Sequence, residues 1–372
     1  MALLSALSVL PLGLMFFCSG FVVNLLQVCS LVLLPFSRGL FRAVNMSLFE
    51  LASSQLVWMV EWWAGVEVRI YADEETRKHF GKEHALIISN HRSDIDWLVG
   101  WIFASRVGCL DGTRAIMKKS SKFLPVIGWG MWFTEYIFLE RKWEKDENTL
   151  KIGFQRWKNF PRVLWVALFV EGTRFTEAKL KAAQEYAASA GLPVPRNVLV
   201  PRTKGFVCAV DNLRSFIPAV YDVTFALSKY KPAPTMTRIL NRQSSVVHMH
   251  VRRVPMNELP TEEEELTEWC REVFVRKDDL LDKHKAENTF GEELYVPLTR
   301  SYKPLMIVIM WASLLTIAVV SLLARLLKSA SGIAWFSGVL VSVTALMQVA
   351  ILATQSERST PAKRVNKGTH RN

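Results

Sequence analysis

His91 and Asp96 stand five positions apart in Asn90-His91-Arg92-Ser93-Asp94-Ile95-Asp96-Trp97, directly after the apolar run Ala85-Leu86-Ile87-Ile88. An imidazole titrates near cellular pH, and a carboxylate bonded to one ring nitrogen fixes the tautomer that leaves the other free to accept a proton. Such a pair can take the proton of an alcohol as its oxygen attacks an activated carbonyl. Five positions on a regular helix turn through about 500°, which does not put two side chains on one face. The spacing therefore predicts that a strand ends before His91 and that Asp96 opens the next helix, so that the pair meets across a turn. Taken alone, a solvated loop histidine beside a helix-capping aspartate has the same pattern.

Short β-rich runs alternate with helical patterns between residues 66 and 300, which is how an α/β domain reads. The predicted strands are Ala85–Ser89, Tyr136–Leu139, Val163–Val170, Phe216–Asp222 and Val246–Val251. Thr176 is predicted to cap a helix ended by Gly191 and Pro193, and Thr261 with Glu264 to form a capping box opening another helix that continues past Trp269. Three further clusters follow those strands. Lys118-Lys119-Ser120-Ser121-Lys122-Phe123-Leu124-Pro125 precedes Gly128-Trp129 and a strand ending in Leu139-Glu140-Arg141. The next is Glu171-Gly172-Thr173-Arg174, and the last spans Val200-Pro201-Arg202-Thr203-Lys204-Gly205-Phe206 and Ile217-Pro218-Ala219-Val220-Tyr221.

A chain with 50% hydrophobic residues and 13 Trp is more apolar than an ordinary soluble domain of its length. Met1 to Ser37 carries no charge, nor do Leu305 to Ala324 and Ser329 to Gln355. Each run reaches the roughly 20 residues that cross a ~30 Å hydrocarbon core. The C-terminal pair, split by Arg325-Leu326-Leu327-Lys328, reads as a transmembrane hairpin. At ~1.5 Å per residue the first block would form ~55 Å of helix, and Pro11, Gly13 and Gly20 are candidate breaks. It fits one crossing preceded by an interfacial segment, or a re-entrant pair. Leu48 to Trp63 lies along the membrane surface or fills the gap beside the first span. The expected organisation is thus residues 1–65 as membrane and interfacial helices, 66–300 as the α/β domain, 301–355 as two membrane helices and 356–372 as a basic tail.

Arg38 and Arg42 after the first block, Lys303 before the hairpin, and the basic tail place the central domain in the cytosol by the positive-inside rule. The five cysteines form no CxxC pair, and no His/Cys/Asp set has metal-ligand spacing, so neither a disulfide framework nor a metal is expected. The net charge of +12 suits anionic headgroups and is not read as a nucleic-acid footprint.

The ordered blocks, Asn-His-x4-Asp, a lysine-rich segment with Pro-x-x-Gly and a strand ending in Arg, Glu-Gly-Thr-Arg, and a Pro-containing strand, resemble the glycerolipid acyltransferases over about residues 85 to 225. The first block together with the hairpin resembles the plant-type microsomal branch of the 1-acylglycerol-3-phosphate (lysophosphatidic acid) acyltransferases. The resemblance implies a mixed β-sheet flanked by helices, and transfer of a long-chain acyl group from coenzyme A to the sn-2 hydroxyl of lysophosphatidate at the endoplasmic reticulum membrane. Acyl-CoA is then a co-substrate and no cofactor is expected. His91 is the expected base and Asp96 its partner. Arg174 is the first choice for the acceptor phosphate, because a guanidinium matches phosphate oxygens with parallel N–H groups. Gly172 lets the chain turn, Thr173 can donate a hydrogen bond, and Glu171 would orient Arg174 or a nearby donor. Lys118, Lys119 and Arg141 are further candidates for that phosphate or those of coenzyme A, against the plain reading of each lysine as solvated surface.

Ser93 and Asp94 read as turn and cap residues, Ser93 as a nucleophile being the alternative. Trp97, Trp101, Trp129 and Trp132 are candidate walls of an acyl-chain tunnel, although such spacing more often marks core. The competing functions are acylation of another lysophospholipid, hydrolysis by the same pair, and non-catalytic lipid binding.

Overall fold

The computed structural model describes residues 2–326 and 330–354. The hairpin turn and the basic tail predicted from the sequence fall on or beyond the edges of these residues. Eight strands, β1 (Glu67–Tyr71), β2 (Ala85–Ser89), β3 (Thr113–Lys118), β4 (Ile137–Leu139), β5 (Trp165–Phe169), β6 (Ala219–Leu227), β7 (Val246–Pro255) and β8 (Tyr295–Val296), form one mixed sheet in the order β4-β3-β5-β2-β6-β7-β1-β8. The helices are α1 (Ala2–Cys29), α2 (Arg38–Trp58), α3 (Glu74–Lys78), α4 (Asp96–Arg106), α5 (Ile127–Phe133), α6 (Trp143–Arg156), α7 (Glu177–Ser189), α8 (Thr203–Leu213), α9 (Met236–Leu240), α10 (Glu263–Glu287), α11 (Lys303–Leu326) and α12 (Ala330–Thr354).

The first five strands in sheet order, β4 to β6, run parallel, so their carboxyl ends lie on one edge. β6 and β7 are antiparallel, β7 and β1 parallel, and β8 closes the sheet antiparallel to β1. Helices cover both faces, which is why β2 reads as a continuous apolar run. Its residues alternate between two cores. Ala85 packs with Leu98, Ile102 and Phe103 of α4 and with Val57 of α2 on one face, while Leu86 and Ile88 pack with Phe154 of α6, Phe206 of α8 and Phe274 of α10 on the other.

Several sequence expectations shift. β1, β3 and β8 have no counterpart among the predicted strands. The fourth predicted strand starts at Ala219, after Pro218, which has no N–H to give a ladder, and runs on to Leu227. Thr176 caps α7, accepting from the Lys179 N–H, and Gly191 takes φ +66° beyond its end. The capping box at Thr261 does not form: α10 starts at Glu263 with Glu262 at its cap and no side-chain cap bond.

The N-terminal block is one continuous helix through Pro11, Gly13 and Gly20, without the breaks expected there. Gly20 meets Val126 instead, and a Cβ there would lie 2.2 Å from Val126 Cγ1. α1 returns antiparallel through α2, held by Ser19 with Gln55 and Ser30 with Asn45. Leu48 to Trp63 thus fills the gap beside α1. Among the described residues, Val9–Leu33 and Lys303–Arg325 are long and apolar enough to cross a membrane. α11 packs on α2, with Lys303 paired to Glu50 and Ile307 and Trp311 against Val23 and Ala52.

Candidate active site

The first, second and third clusters meet at the carboxyl edge of the parallel strands, where open α/β sheets bind ligands. His91 lies two residues past β2, Glu171 two past β5, Arg141 two past β4, and Lys118 ends β3. His91 Nδ1 is 2.8 Å from Asp96 Oδ2 across the turn. Asp96 opens α4, is buried, and also accepts the Ser93 N–H at 2.8 Å. The imidazole stacks on Phe169 at 4.4 Å between ring centroids, and its backbone carbonyl accepts the Phe175 N–H at 2.8 Å. The ring is therefore held on two sides.

Asn90 is the hidden anchor of this loop. Fully buried, it donates from Nδ2 to the Phe225 carbonyl at 2.9 Å and accepts the Phe225 N–H at Oδ1 at 2.8 Å, so a side chain extends the β2–β6 ladder beyond Ser89. Ser93 Oγ donates to the Pro234 carbonyl and receives the Ile95 N–H, which gives it the local turn role. Asp94 is more than a cap: it is the ion partner of Arg174.

That pairing corrects the expectation for Glu171, since the carboxylate holding Arg174 comes from Asp94. Glu171 is buried behind the pair, and its carboxyl is pushed up to about 8, by burial first, then by the nearby Asp96, against the lowering effect of the Leu199 and His91 backbone N–H groups. Its Oε2 has no hydrogen-bond partner among the described residues. Arg92, which burial lowers, lies over Phe175 at 4.2 Å and donates to the Asn197 carbonyl. Gly172 turns with φ +68°, and a Cβ there would lie 2.9 Å from Arg202 Cδ. Thr173 accepts a bond from Lys179 Nζ at 2.8 Å, which leaves its hydroxyl proton available to donate.

Lys179 and Arg202 carried no assigned role in the sequence. Burial lowers Lys179, and Arg174 and Arg141 lower it further; burial lowers Arg141, with Arg202 adding to it. Four cations thus converge. Among the described residues no carboxylate forms an ion pair with Arg141, Lys179 or Arg202, leaving Asp94 as the one acid paired into the group, through Arg174. Arg141 adopts φ +64°, an uncommon backbone for a non-glycine residue. Lys118 is exposed at the end of β3, opposite Leu139 in the β4 register. Lys119 is committed to Glu140 at 2.5 Å. The spacing Thr-Arg-x4-Lys was the available signal for Lys179, since a cap at Thr176 brings its first turn back toward Thr173.

Trp101 is buried and lines an apolar crevice with Phe49, Leu56, Val126 and Gly130, between α1, α2, α4 and α5. Trp97 packs edge-on against Trp101 at 5.0 Å. Trp129 and Trp132 are on the surface, contrary to the tunnel expectation, because α5 turns Met131 and Phe133 inward instead.

A family model described as "Acyltransferase" matches residues 67–228, and one described as "Acyltransferase C-terminus" matches residues 238–311. A protein of Brassica oleracea named 1-acyl-sn-glycerol-3-phosphate acyltransferase 2 is 57% identical over 98% of this chain and 94% of its own. The chain belongs to the 1-acylglycerol-3-phosphate acyltransferase family. Its Arabidopsis thaliana relative of the same name is 55% identical over 97% of this chain and 93% of its own, and the rat 1-acyl-sn-glycerol-3-phosphate acyltransferase delta is 37% identical over 90% and 88%. The crystal structure of the 1-acyl-sn-glycerophosphate acyltransferase PlsC from Thermotoga maritima aligns with TM-score 0.45 and 17% identity, over 73% of this chain and 95% of that one.

Proposed function

We propose that this member of the family transfers a long-chain acyl group from acyl-CoA to the sn-2 hydroxyl of lysophosphatidate, giving phosphatidate, by direct attack. Asp96 holds His91 Nδ1, so Nε2 takes the hydroxyl proton as the oxygen bonds to the thioester carbon. The tetrahedral intermediate collapses by breaking the C–S bond, and the imidazolium returns the proton to the departing thiolate. No serine or cysteine is acylated on the way, consistent with the bonds that occupy Ser93. A thioester is already activated, so the chemistry asks for no metal.

The single observation carrying this reading is the 2.8 Å His91–Asp96 contact on the same sheet edge as an incompletely neutralised cation group. Arg174 is the main phosphate donor in this proposal, with Arg141, Lys179 and Arg202 around it and Lys118 at the rim. Gly172 and Thr173 shape the turn and hold Lys179. Lys119, paired with Glu140, is left with a minor part. Buried Glu171 supports the loop from behind in its neutral form.

α1 and α11 anchor the domain in a bilayer, for which the endoplasmic reticulum membrane with the active site in the cytosol is the proposed setting; Arg38, Arg42 and Lys303 beside these helices support that orientation. The test is product analysis with labelled acyl-CoA, with and without lysophosphatidate and with other lysophospholipids. Phosphatidate formed only with lysophosphatidate supports the assignment. Free fatty acid as the main product would point to a hydrolase, and product with another headgroup alone would move the acceptor.

A further inference from the structure

We propose that the segment from Lys118 to Phe133 is a docking surface for an anionic bilayer, seating the mouth of the site in the headgroup layer. Phe123 is 78% exposed, Trp129 55% and Trp132 48%. A single exposed apolar side chain is ordinary, whereas three exposed aromatics within ten residues, beside exposed Lys118 and Lys122, have the composition of an interfacial belt. Trp129 and Trp132, three apart, share one face of α5 while Gly128, Met131 and Phe133 are buried. Lys122 Nζ lies 5.6 Å from the Trp132 ring centroid, so positive charge and aromatic face are presented together.

What covers this surface follows from its neighbour. Val126 is wedged against Gly20 of α1, its carbonyl accepts from Asn24 Nδ2 at 3.3 Å, and it holds φ +64°, an outlier for a β-branched residue. The platform is thereby continuous with the exposed flank of α1, including Phe21 and Leu25. Lysines at the headgroup level are drawn to anionic lipid, and aromatic rings sit at that depth. Lys118 leads back to the reaction, since it stands opposite Leu139 and only two residues from Arg141 across the strands. A lysophosphatidate could then present its phosphate to the cations while its chain stays in the membrane.

The inference rests on the bilayer reading of α1 and α11, and one experiment separates the two. p-Benzoylphenylalanine is placed singly at Phe123, Trp129, Ile317 or Tyr186 in the full chain, which is reconstituted in vesicles of phosphatidylcholine and phosphatidate and irradiated. Ile317 is an exposed residue of α11, and Tyr186 an exposed residue of α7. Lipid adducts are expected at 123, 129 and 317 and not at 186. Adducts at 317 without 123 and 129 would overturn the docking surface and spare the membrane helices; no adduct at any position would overturn both, and adducts at 186 as well would count against an oriented surface. Phe123→Ser should raise the KM for vesicle-borne lysophosphatidate about tenfold, the scale of one buried aromatic ring, and leave turnover of a dissolved short-chain acceptor unchanged. An equal effect on both acceptors would contradict the proposal.

Discussion

Two kinds of charged cluster in this molecule are arranged in opposite ways. Between α10 and β6, Lys277 is buried against Asp222 and also donates to the Val223 carbonyl at 2.6 Å; between the turn after α2 and the end of α4, buried Arg106 holds Glu61 at 2.7 Å and donates to the Val68 carbonyl. His248 and His284, 2.7 Å apart and both pushed down to about 4 by burial, stay neutral at cellular pH. There each of the two buried cations has its own anion, Lys277 with Asp222 and Arg106 with Glu61. At the carboxyl edge of the parallel strands, Arg141, Arg174, Lys179 and Arg202 share Asp94 as their paired acid. Four cations gathered around one paired acid set this edge apart from the closed pairs, and from the buried guanidinium of Arg114, which is held by backbone carbonyls.

The comparison predicts that removing a cation has different consequences in the two regions. Lys277→Met leaves the Asp222 carboxylate buried without its main partner and should cost about 3–5 kcal/mol of stability, read as a fall in Tm, with KM for lysophosphatidate unchanged. Adding Asp222→Asn should recover much of the loss; failure to do so would mean that the pair is not what Lys277 supports. Arg174→Ala should raise KM for lysophosphatidate roughly 10²-fold, as removal of a charge-assisted bidentate contact implies, and its fall in Tm, from an Asp94 left without its partner, should be recovered by Asp94→Asn while the KM effect stays. Lys179→Met and Arg202→Met should each give a smaller rise. A KM effect at Lys277, or none at Arg174, would break the distinction.

Asn90→Ala tests the scaffold beneath the site. It leaves the Phe225 N–H and carbonyl without partners and should cost about 1–3 kcal/mol, with a fall in kcat as His91 loosens. Glu171→Gln is expected to have the smallest effect near pH 7, because the amide mimics a carboxyl that is already neutral there. The sign follows from its raised pKa. The folded chain keeps this proton up to about 8, while the unfolded chain releases it near 4.5, so the stabilising contribution is fully present below 4.5 and is lost as pH rises toward 8. Activity of the parent enzyme should fall above pH 8 as charge appears beside Asp96. A Gln variant that keeps this alkaline limb would exclude Glu171 as its source.

Much of the chemistry was legible because parallel strands deliver their motifs to one edge. A strand followed by His-x4-Asp, and another followed by Glu-Gly-Thr-Arg, need no long-range information to be placed at neighbouring strand ends. What stayed hidden depends on partners distant in the chain. Asp94 meets Arg174 across eighty residues, Asn90 reaches Phe225 across a longer gap, and Arg202 comes to Gly172 from a separate loop. β8, two residues long, exists only by its antiparallel pairing with β1. Trp129 and Trp132 illustrate a different limit: their spacing is the same whether that face of α5 meets a core or a surface, and only the packing of Met131 and Phe133 decides. The broken-helix expectation at Pro11 and Gly20 failed because local propensity was overruled by packing, with Val126 filling the notch at Gly20.

The account turns on a base whose second nitrogen is free because its first is held. The direct measurement is transfer of labelled acyl groups from acyl-CoA to lysophosphatidate by His91→Ala and Asp96→Asn, each with an unchanged Tm and unchanged lysophosphatidate binding. Losses of about 10²–10⁴-fold in kcat are expected for both, in the range set by general-base catalysis. Near-parent turnover by His91→Ala, or an acylated protein intermediate trapped in either variant, would contradict direct transfer by this pair.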